Sequence, residues 1–532
     1  MPDQPQTIDQ LVRATAAQRG SHDAVVDAAT RITYGELDAS TRELAAVLVE
    51  AGIGKGTRVG LVMANGVRWV RFAVALTRIG AVLVPLSTLM RGRELVEQLN
   101  AASVQCLVSV DEFRDHRYLD DLRSELTVPE LGEPVRSPGL PALRHVWMPD
   151  QLERRSASDG ARRIVDAMAA TVSASEALAI MFTSGSSGPP KGVIHSHGSA
   201  LGAAQSGLHA RCIDSTTRLY IPMPFFWVGG FAGGLISALL AGATLVTEES
   251  PQAHTTLRLL KRERVTLFRG WPEQADVLAQ QSDSLGVDLS ALQPGSLEAL
   301  LPPRQRSEPG ARAKLFGMTE AFGPYCGYRA DTDMPRSAWG SCGRPFDGME
   351  VRIVDPDTGA PVPAGTAGMI QIRGPHTLRG VCRRSREDLF TADGFYPTGD
   401  MGHLDDDGFM FYHGRSDDMF KVSGATVYPG EVEQVLRTIE GVESAVVTNV
   451  SGADGAQVGA LVVCDTTATT SETLRQGARK MLSSFKVPTV WLLVDSVDAI
   501  PRGSTGKVEV RRVRELLTPT SERSQVKPSS PG

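Results

Sequence analysis

From Tyr34 onward the chain alternates between two hydrophobic rhythms. Residues 37–50 carry apolar side chains at helical spacing and are closed by Gly52, whereas Val59-Gly-Leu-Val-Met63 is a short, unbroken apolar run. The alternation repeats: the spacing predicts a helix over 69–79 and a strand over Ala81-Val-Leu-Val-Pro85. Short apolar strands set between amphipathic helices predict a mainly parallel sheet with helices on its faces. Enrichment in Pro, Ser and Arg over 131–175 predicts a solvent-exposed connection, after which a second α/β unit runs to about Phe322. Strands are then predicted at Glu350-Val-Arg-Ile-Val354 and Gly368-Met-Ile-Gln-Ile-Arg373, forming a small β-rich subdomain. From Arg415 a compact mixed domain follows, with a helix over 429–439 and strands over 444–448 and 459–463. The polar, Pro/Ser-rich stretch 519–532 reads as a disordered tail.

The fold class expected is therefore α/β. A large N-terminal domain over 1–414 holds two α/β subdomains and the β-rich subdomain, and a small α+β C-terminal domain covers 415–518. A length of 532 residues requires more than one domain. The net charge of −6 gives no reason to expect nucleic acid or an anionic membrane as partner. Any phosphate must be bound by local loops. Six scattered cysteines without metal or redox spacing point to reduced, buried thiols and a cytoplasmic protein. The N-terminus has no signal-peptide pattern. Residues 225–247 carry no charge and have the length of a membrane span. Ala-Gly-Ala at 241–243 breaks the run, so with Gly229, Gly230, Gly233 and Gly234 it predicts a closely packed buried helix and no span.

The most informative segment is Phe182-Thr-Ser-Gly-Ser-Ser-Gly-Pro-Pro-Lys-Gly192, which follows an apolar strand pattern over 177–182. Gly185 and Gly188 let backbone N–H groups approach a phosphate, Thr183, Ser184, Ser186 and Ser187 add hydroxyls, and Lys191 adds a charge. It is not a Walker loop, because Lys191 follows Pro190, and Gly503-Ser-Thr-Gly-Lys507 fails the same test. Taken alone, a Gly/Ser-rich stretch is a flexible loop.

This loop resembles the signature of the adenylate-forming superfamily, which comprises acyl-CoA synthetases, adenylation domains of nonribosomal peptide synthetases and beetle luciferases. Further segments match in the family's order from about Thr33 to Leu517. Leu315-Phe-Gly-Met-Thr-Glu320 resembles the motif in which Phe316 and Gly317 meet adenine, Thr319 contacts the α-phosphate and Glu320 holds Mg2+. Read without the family, Thr-Glu ahead of an apolar stretch is a helix cap. Tyr396-Pro-Thr-Gly-Asp400 resembles the motif whose Asp binds the ribose hydroxyls; its plain reading is a turn. In Gly414-Arg-Ser-Asp-Asp418, the resemblance gives Arg415 to the ribose and makes Asp417 the hinge of a mobile C-terminal domain. Lys421, Ser423 and Gly424 resemble the face that admits the pantetheine arm, and Lys507 resembles the catalytic lysine of adenylation.

The resemblance implies ATP, Mg2+ and coenzyme A, and a small-molecule carboxylic acid first joined to AMP and then passed to a thiol. It also leaves open a carrier-protein phosphopantetheine or a partner enzyme as acceptor, a silent nucleotide- or acyl-binding relative, and a homodimer. Two departures bear on the acid. Where the family usually has a His, Pro222-Met-Pro-Phe-Phe-Trp-Val-Gly-Gly230 places Trp227, which can shape a pocket but not transfer protons. The region 265–314 is shortened, with Pro294-Gly-Ser-Leu in place of the usual glycine-rich turn. The aromatic cluster Phe225, Phe226, Trp227, Phe231 and Trp271 suggests an apolar acid, with Phe226, Trp227, Gly230 and Trp271 expected to bind it; taken alone, such a cluster is plain core.

Overall fold

Local chemistry starts the helices where the hydrophobic rhythm predicts them. At Tyr34–Glu50, Thr33 Oγ1 accepts from the Glu36 amide at 3.2 Å while Glu36 Oε2 accepts from the Thr33 amide at 2.9 Å. The pair satisfies donors that a helix N-terminus leaves open. Strand Arg58–Val62, helix Val67–Arg78 and strand Val82–Leu86 follow in the predicted order. The computed structural model describes residues 5–90, 92–125, 131–183, 191–416, 419–422, 425–452, 455–482, 484–502 and 508–518. The chain divides into two compact units, Met1–Val351 with Ile372–Tyr396 and Asp407–Met410, and Arg352–Gln371 with Pro397–Asp406 and Phe411–Gly532.

The described residues of the first unit build two large sheets, beside a three-stranded sheet of Phe316–Met318, Gly323–Gly327 and Arg344–Pro345 and a two-stranded one of Glu112–Phe113 and His116–Arg117. A seven-stranded sheet runs in the order Gly380–Val381, Lys191–Ser196, Ala177–Thr183, Val82–Leu86, Arg58–Val62, Cys106–Ser109, His145–Trp147. It is parallel from Ala177–Thr183 to His145–Trp147 and antiparallel at the other edge. A five-stranded sheet runs Leu267–Phe268, Arg218–Tyr220, Thr244–Val246, Asp23–Val26, Arg31–Thr33, parallel except for the last hairpin. One continuous core joins them, with Trp69 packed on Phe225 and Phe231 at 5.0 and 5.5 Å between ring centres. Asn65, three residues beyond strand Arg58–Val62, accepts from the Phe225 amide and donates to the Met223 carbonyl, so it fixes the 223–225 segment from the neighbouring sheet.

Two expectations are corrected here. The segment over 131–175 is not a mere exposed connection. His145–Trp147 adds a parallel strand beside Cys106–Ser109, Val135, Leu140 and Leu143 are buried, and helix Asp159–Thr171 packs through Ala161, Val165 and Ala169. Sparse apolar residues at helical spacing suffice when each lands on the core. The thiols are not uniformly buried either, since Cys212 and Cys382 are only partly covered.

The uncharged run over 225–247 folds as a broken helix followed by strand Thr244–Val246. A turn over Val228–Gly230 leads into π-helical Phe231–Ile236 and then Ser237–Ala241. The glycines are there for close approach. A Cβ at Gly230 would stand 2.2 Å from the Pro224 carbonyl oxygen, and one at Gly234 2.9 Å from Ile221. Among the described residues no helix is long and apolar enough to cross a membrane.

In the second unit, a four-stranded sheet takes the order Glu350–Val354, Gly368–Arg373, Tyr396–Leu404, Met410–Arg415. A three-stranded sheet of Val442–Gly452, Gly455–Cys464 and Val490–Val494 follows. Helices Pro429–Arg437 and Ser471–Arg479 cover one face through Val432, Leu436 and Leu474, and Val510–Leu517 covers the other through Val513 and Leu517. Gly230→Ala is expected to lower the unfolding free energy by about 2 kcal/mol, because the added methyl meets backbone that cannot retreat; urea unfolding of the variant beside the parent measures it.

Candidate active site

Strand Ala177–Thr183 pairs antiparallel with Lys191–Ser196 so that Thr183 stands opposite Lys191. Both ends of the Gly/Ser-rich segment are therefore fixed at adjacent sheet positions. Ser184, Gly185, Ser186, Ser187 and Gly188 lie outside the described residues. Lys191 is exposed at the strand's start, and four residues on, His195 points to the same face, about 13 Å along at 3.3 Å per residue.

Phe316–Met318 and Gly323–Gly327 form a tight hairpin, with Phe316 opposite Cys326 and Gly317 opposite Pro324. Gly317 is obligatory, since a Cβ there would lie 2.1 Å from the Gly323 carbonyl oxygen. The turn between them, Thr319–Ala321, is one 3-10 turn closed by the Phe322 amide on the Thr319 carbonyl at 2.9 Å. Phe322 itself takes a left-handed φ of 53°, an uncommon conformation for a bulky residue. Its ring is sealed in the core against Phe231 and His195.

Three separate segments hold this turn. His195 Nε2–H donates to the Thr319 carbonyl at 2.7 Å, the Leu378 amide donates to the Glu320 carbonyl at 2.7 Å, and Tyr396 Oη–H donates to Glu320 Oε1 at 3.2 Å. A carbonyl only accepts, so the imidazole carries its proton on Nε2. Burial depresses the pKa of His195 from 6.5 to about 4 and keeps the ring neutral. Glu320 is 8% exposed, and Phe316 meets Tyr325 edge-on at 5.6 Å. Among the described residues no group of three or more His, Cys, Asp or Glu could hold a metal ion. Mg2+ takes one or two carboxylates together with phosphate oxygens and water. Glu320, oriented on one oxygen by Tyr396, fits such a role.

The aromatic residues divide. Phe225 and Phe231 belong to the core, the plain reading of such an aromatic cluster. Phe226 is buried beneath Trp227 at 5.4 Å. Trp227 meets Trp271 edge-to-face at 6.3 Å and 90°, and Trp271 is 40% exposed.

In the second unit, Arg415 Nη1 donates to Asp400 Oδ1 at 3.1 Å and to the Thr398 carbonyl at 2.8 Å. Asp400 is buried within strand Tyr396–Leu404 and does not lie in a free turn. Gly399, at φ +74°, makes the pair possible, because a Cβ there would sit 2.7 Å from Arg415 Nη2. Lys421 lies in strand Phe420–Val422, opposite Thr426. Asp417, Ser423, Gly424, Lys507 and the stretch 519–532 lie outside the described residues.

The structure thus brings Thr319 and Glu320 together with His195, Tyr396 and Leu378, and Asp400 together with Arg415. Sequence reasoning missed His195 and the hydroxyl of Tyr396. Period-two spacing from Lys191 marks His195 as facing the same way as the lysine, but nothing local marks its partner, 124 residues distant.

Burial of neutral His195 and His197, each held near pKa 4, makes folding stability pH-dependent. The unfolded chain takes up these protons near 6.5, so this stability is complete above that value and is lost as pH falls toward 4. His195→Gln keeps a donor for the Thr319 carbonyl but does not titrate. Urea unfolding between pH 7 and 5 is expected to show a slope reduced by up to about 1.4 kcal/mol per pH unit.

The model of the AMP-binding enzyme family matches residues 12–382. A methyl-dioxo-octahydroindenyl-propanoyl:CoA ligase of Rhodococcus jostii (strain RHA1) is 31% identical over 530 residues, covering 97% of this chain and 99% of its own length. The 3-hydroxybenzoate–CoA ligase of Aromatoleum sp. (strain CIB) is 28% identical, with 96% of each chain covered. Among solved structures, the anthranilate CoA ligase AuaEII in complex with anthranoyl-AMP aligns with a TM-score of 0.79 at 22% identity, covering 96% of this chain and 97% of that one. ATP-bound MatB from Rhodopseudomonas palustris aligns with a TM-score of 0.73 at 25% identity, covering 96% and 99%. With a family model spanning more than two thirds of its length and a full-length relative above 30% identity, the chain belongs to the AMP-binding enzyme family.

Proposed function

We propose that the protein activates a ring-bearing, largely apolar carboxylic acid as its acyl-adenylate and then forms the coenzyme A thioester. The observation that carries this reading is the Thr319–Glu320 turn, whose backbone is fixed from two segments and whose buried carboxylate is held by a third, Tyr396, so that it is presented in one position. Relatives named for an indenyl-propanoyl and a hydroxybenzoate CoA ligase favour a ring in the acid. The edge-to-face pair Trp227–Trp271, exposed at Trp271, with Phe226 beneath and Gly230 at the helix start, supplies an apolar ring face against which one can pack.

The acid arrives ionised at neutral pH, so no base is needed to make it a nucleophile. Its carboxylate oxygen attacks the α-phosphorus, the bond to the bridging oxygen breaks, and that electron pair leaves with pyrophosphate. The barrier is anion–anion repulsion and alignment. Glu320 would hold Mg2+, which would supply positive charge against the triphosphate. Lys191, the hydroxyls and amides of 183–188 and Lys507 add positive potential, Thr319 contacts the α-phosphate, and Phe316 and Gly317 face adenine. Asp400, with Arg415 beside it, takes the ribose hydroxyls. In the second step the thiol of coenzyme A, entering past Lys421, Ser423 and Gly424, loses its proton to solvent and attacks the acyl carbon. AMP leaves with the electron pair of the broken C–O bond. Rotation of the 415–518 domain about Asp417 separates the two steps, as two reactions at one site require. The protein is assigned to the cytoplasm, with coenzyme A as acceptor in preference to a carrier-protein thiol, and a homodimer is compatible with this reading.

Incubation with ATP, Mg2+ and a panel of aliphatic, aryl and polycyclic acids, with and without coenzyme A, tests the whole reading by mass spectrometry. Acyl-AMP that converts to acyl-CoA is expected, and acyl-AMP that persists beside coenzyme A would point to another acceptor. Lys507→Ala is expected to slow adenylation about 100- to 1000-fold while still converting supplied acyl-AMP to thioester. Gly424→Leu is expected to do the reverse, and equal loss of both half-reactions would overturn the assignment.

A further inference from the structure

Strands Asp23–Val26, Thr244–Val246, Arg218–Tyr220 and Leu267–Phe268 are parallel, so their carboxyl ends lie along one edge of the sheet. In open α/β sheets that edge is where ligands bind. It carries the segment that begins at Ile221 and reaches Trp227, and it carries Arg269-Gly270-Trp271. Arg269 therefore stands two residues from the exposed tryptophan at which the acid has been placed, and the inference depends on that placement.

The charge around Arg269 does not close. Its Nη2 donates to the Arg211 carbonyl at 2.9 Å, and its Nε is sealed from solvent with no acceptor in reach among the described residues. Arg211, itself buried, donates to the carbonyls of Gly207, Gly233 and Ala204 and to Ser237 Oγ. Every hydrogen bond of these two guanidiniums thus ends on a neutral oxygen. Asp331, the nearest carboxylate that Arg269 feels, is held through both oxygens by Arg329 at 2.7 and 2.8 Å. Arg269 and Arg329 accordingly share the field of Asp331, and Arg329 already takes both of its oxygens. Burial pushes Arg269 down to about 10, and burial together with Arg269 pushes Arg211 down to about 9. A buried cation such as Arg211, or a sealed donor such as Arg269 Nε, is costly unless something completes it. Gln274, which contributes a second sealed and unpartnered polar atom, Oε1, lies close enough to Gly270 that a Cβ there would come within 3.1 Å of it.

We propose that Arg269 determines substrate specificity by taking an acceptor oxygen, a carboxylate or a ring carbonyl, at the end of the acid remote from the carboxylate that is activated. The guanidinium edge offers fixed N–H donors matched to such an oxygen. An acid lacking it leaves the donor buried and unpaired, which discriminates far more strongly than a missing methylene does. Arg211 positions Arg269 through its carbonyl and touches no substrate.

The test uses three ring-propanoic acids of one skeleton that differ only in a remote CH2, C=O or carboxylate. For each acid, kcat/KM for acyl-CoA formation and the dissociation constant from quenching of intrinsic tryptophan fluorescence are measured on the parent and on Arg269→Met. The parent is expected to favour an oxygenated acid over its CH2 analogue at least about 100-fold, and the variant less than about threefold. Whichever oxygenated acid loses its advantage identifies the group received. If all three acids weaken by the same factor, Arg269 is structural and the proposal is overturned. It is equally overturned if the parent shows no preference, or if none of the acids quenches fluorescence at millimolar concentration. Selective binding with no acyl-CoA formed would instead overturn the assigned reaction and leave the specificity assignment standing.

Discussion

A single hydrogen bond in a dry environment governs the first unit's site. The imidazole of His195 donates to the carbonyl of Thr319 at 2.7 Å, and burial holds the ring neutral. In water such a bond is nearly neutral energetically, but once both groups are sealed, losing either leaves an unpaired polar atom costing about 1–3 kcal/mol. The Thr319–Ala321 turn, the left-handed Phe322 and the direction of Glu320 all follow from where that carbonyl is fixed. Leu378 and Tyr396 then remove the remaining freedom of Glu320 from another side.

Elsewhere the chain relies on absent side chains. Gly317 lets the two arms of the Phe316–Gly327 hairpin touch, Gly230 lets the broken helix start against Pro224, and Gly399 admits the guanidinium of Arg415 to Asp400. Each replaces a methyl with backbone or charge at close range, and each sits beside a residue with an assigned role. The π-helical turn over Phe231–Ile236 shows the complementary device, an internal cation: Arg211 gathers its Gly233 carbonyl and the Ser237 hydroxyl. Widened helical turns recur near functional sites.

What could be read beforehand was what is locally encoded. Helices and strands from Tyr34 to Leu86 emerged from hydrophobic periodicity alone, because each element buries its own apolar face. The motif around Glu320 was legible through its resemblance to a family, which also singled out Asp400 and Arg415; that the two bond to each other was not legible. Residues 131–175 misled, because a three-residue strand gives no period and the helix Asp159–Thr171 needs only three buried positions among charged ones. His195 and Arg269 were illegible for a different reason. Their partners are a carbonyl 124 residues away and another 58 residues away, and a carbonyl leaves no trace in side-chain identity.

Lys191 and His195 occupy one strand, at positions separated by an even number of residues. A strand alternates faces at each step, so inserting or deleting one residue between them would turn the lysine and the histidine to opposite sides. Only one of the two could then keep its place. The segment cannot change length, and any lineage that alters its loop must do so on the far side of Lys191.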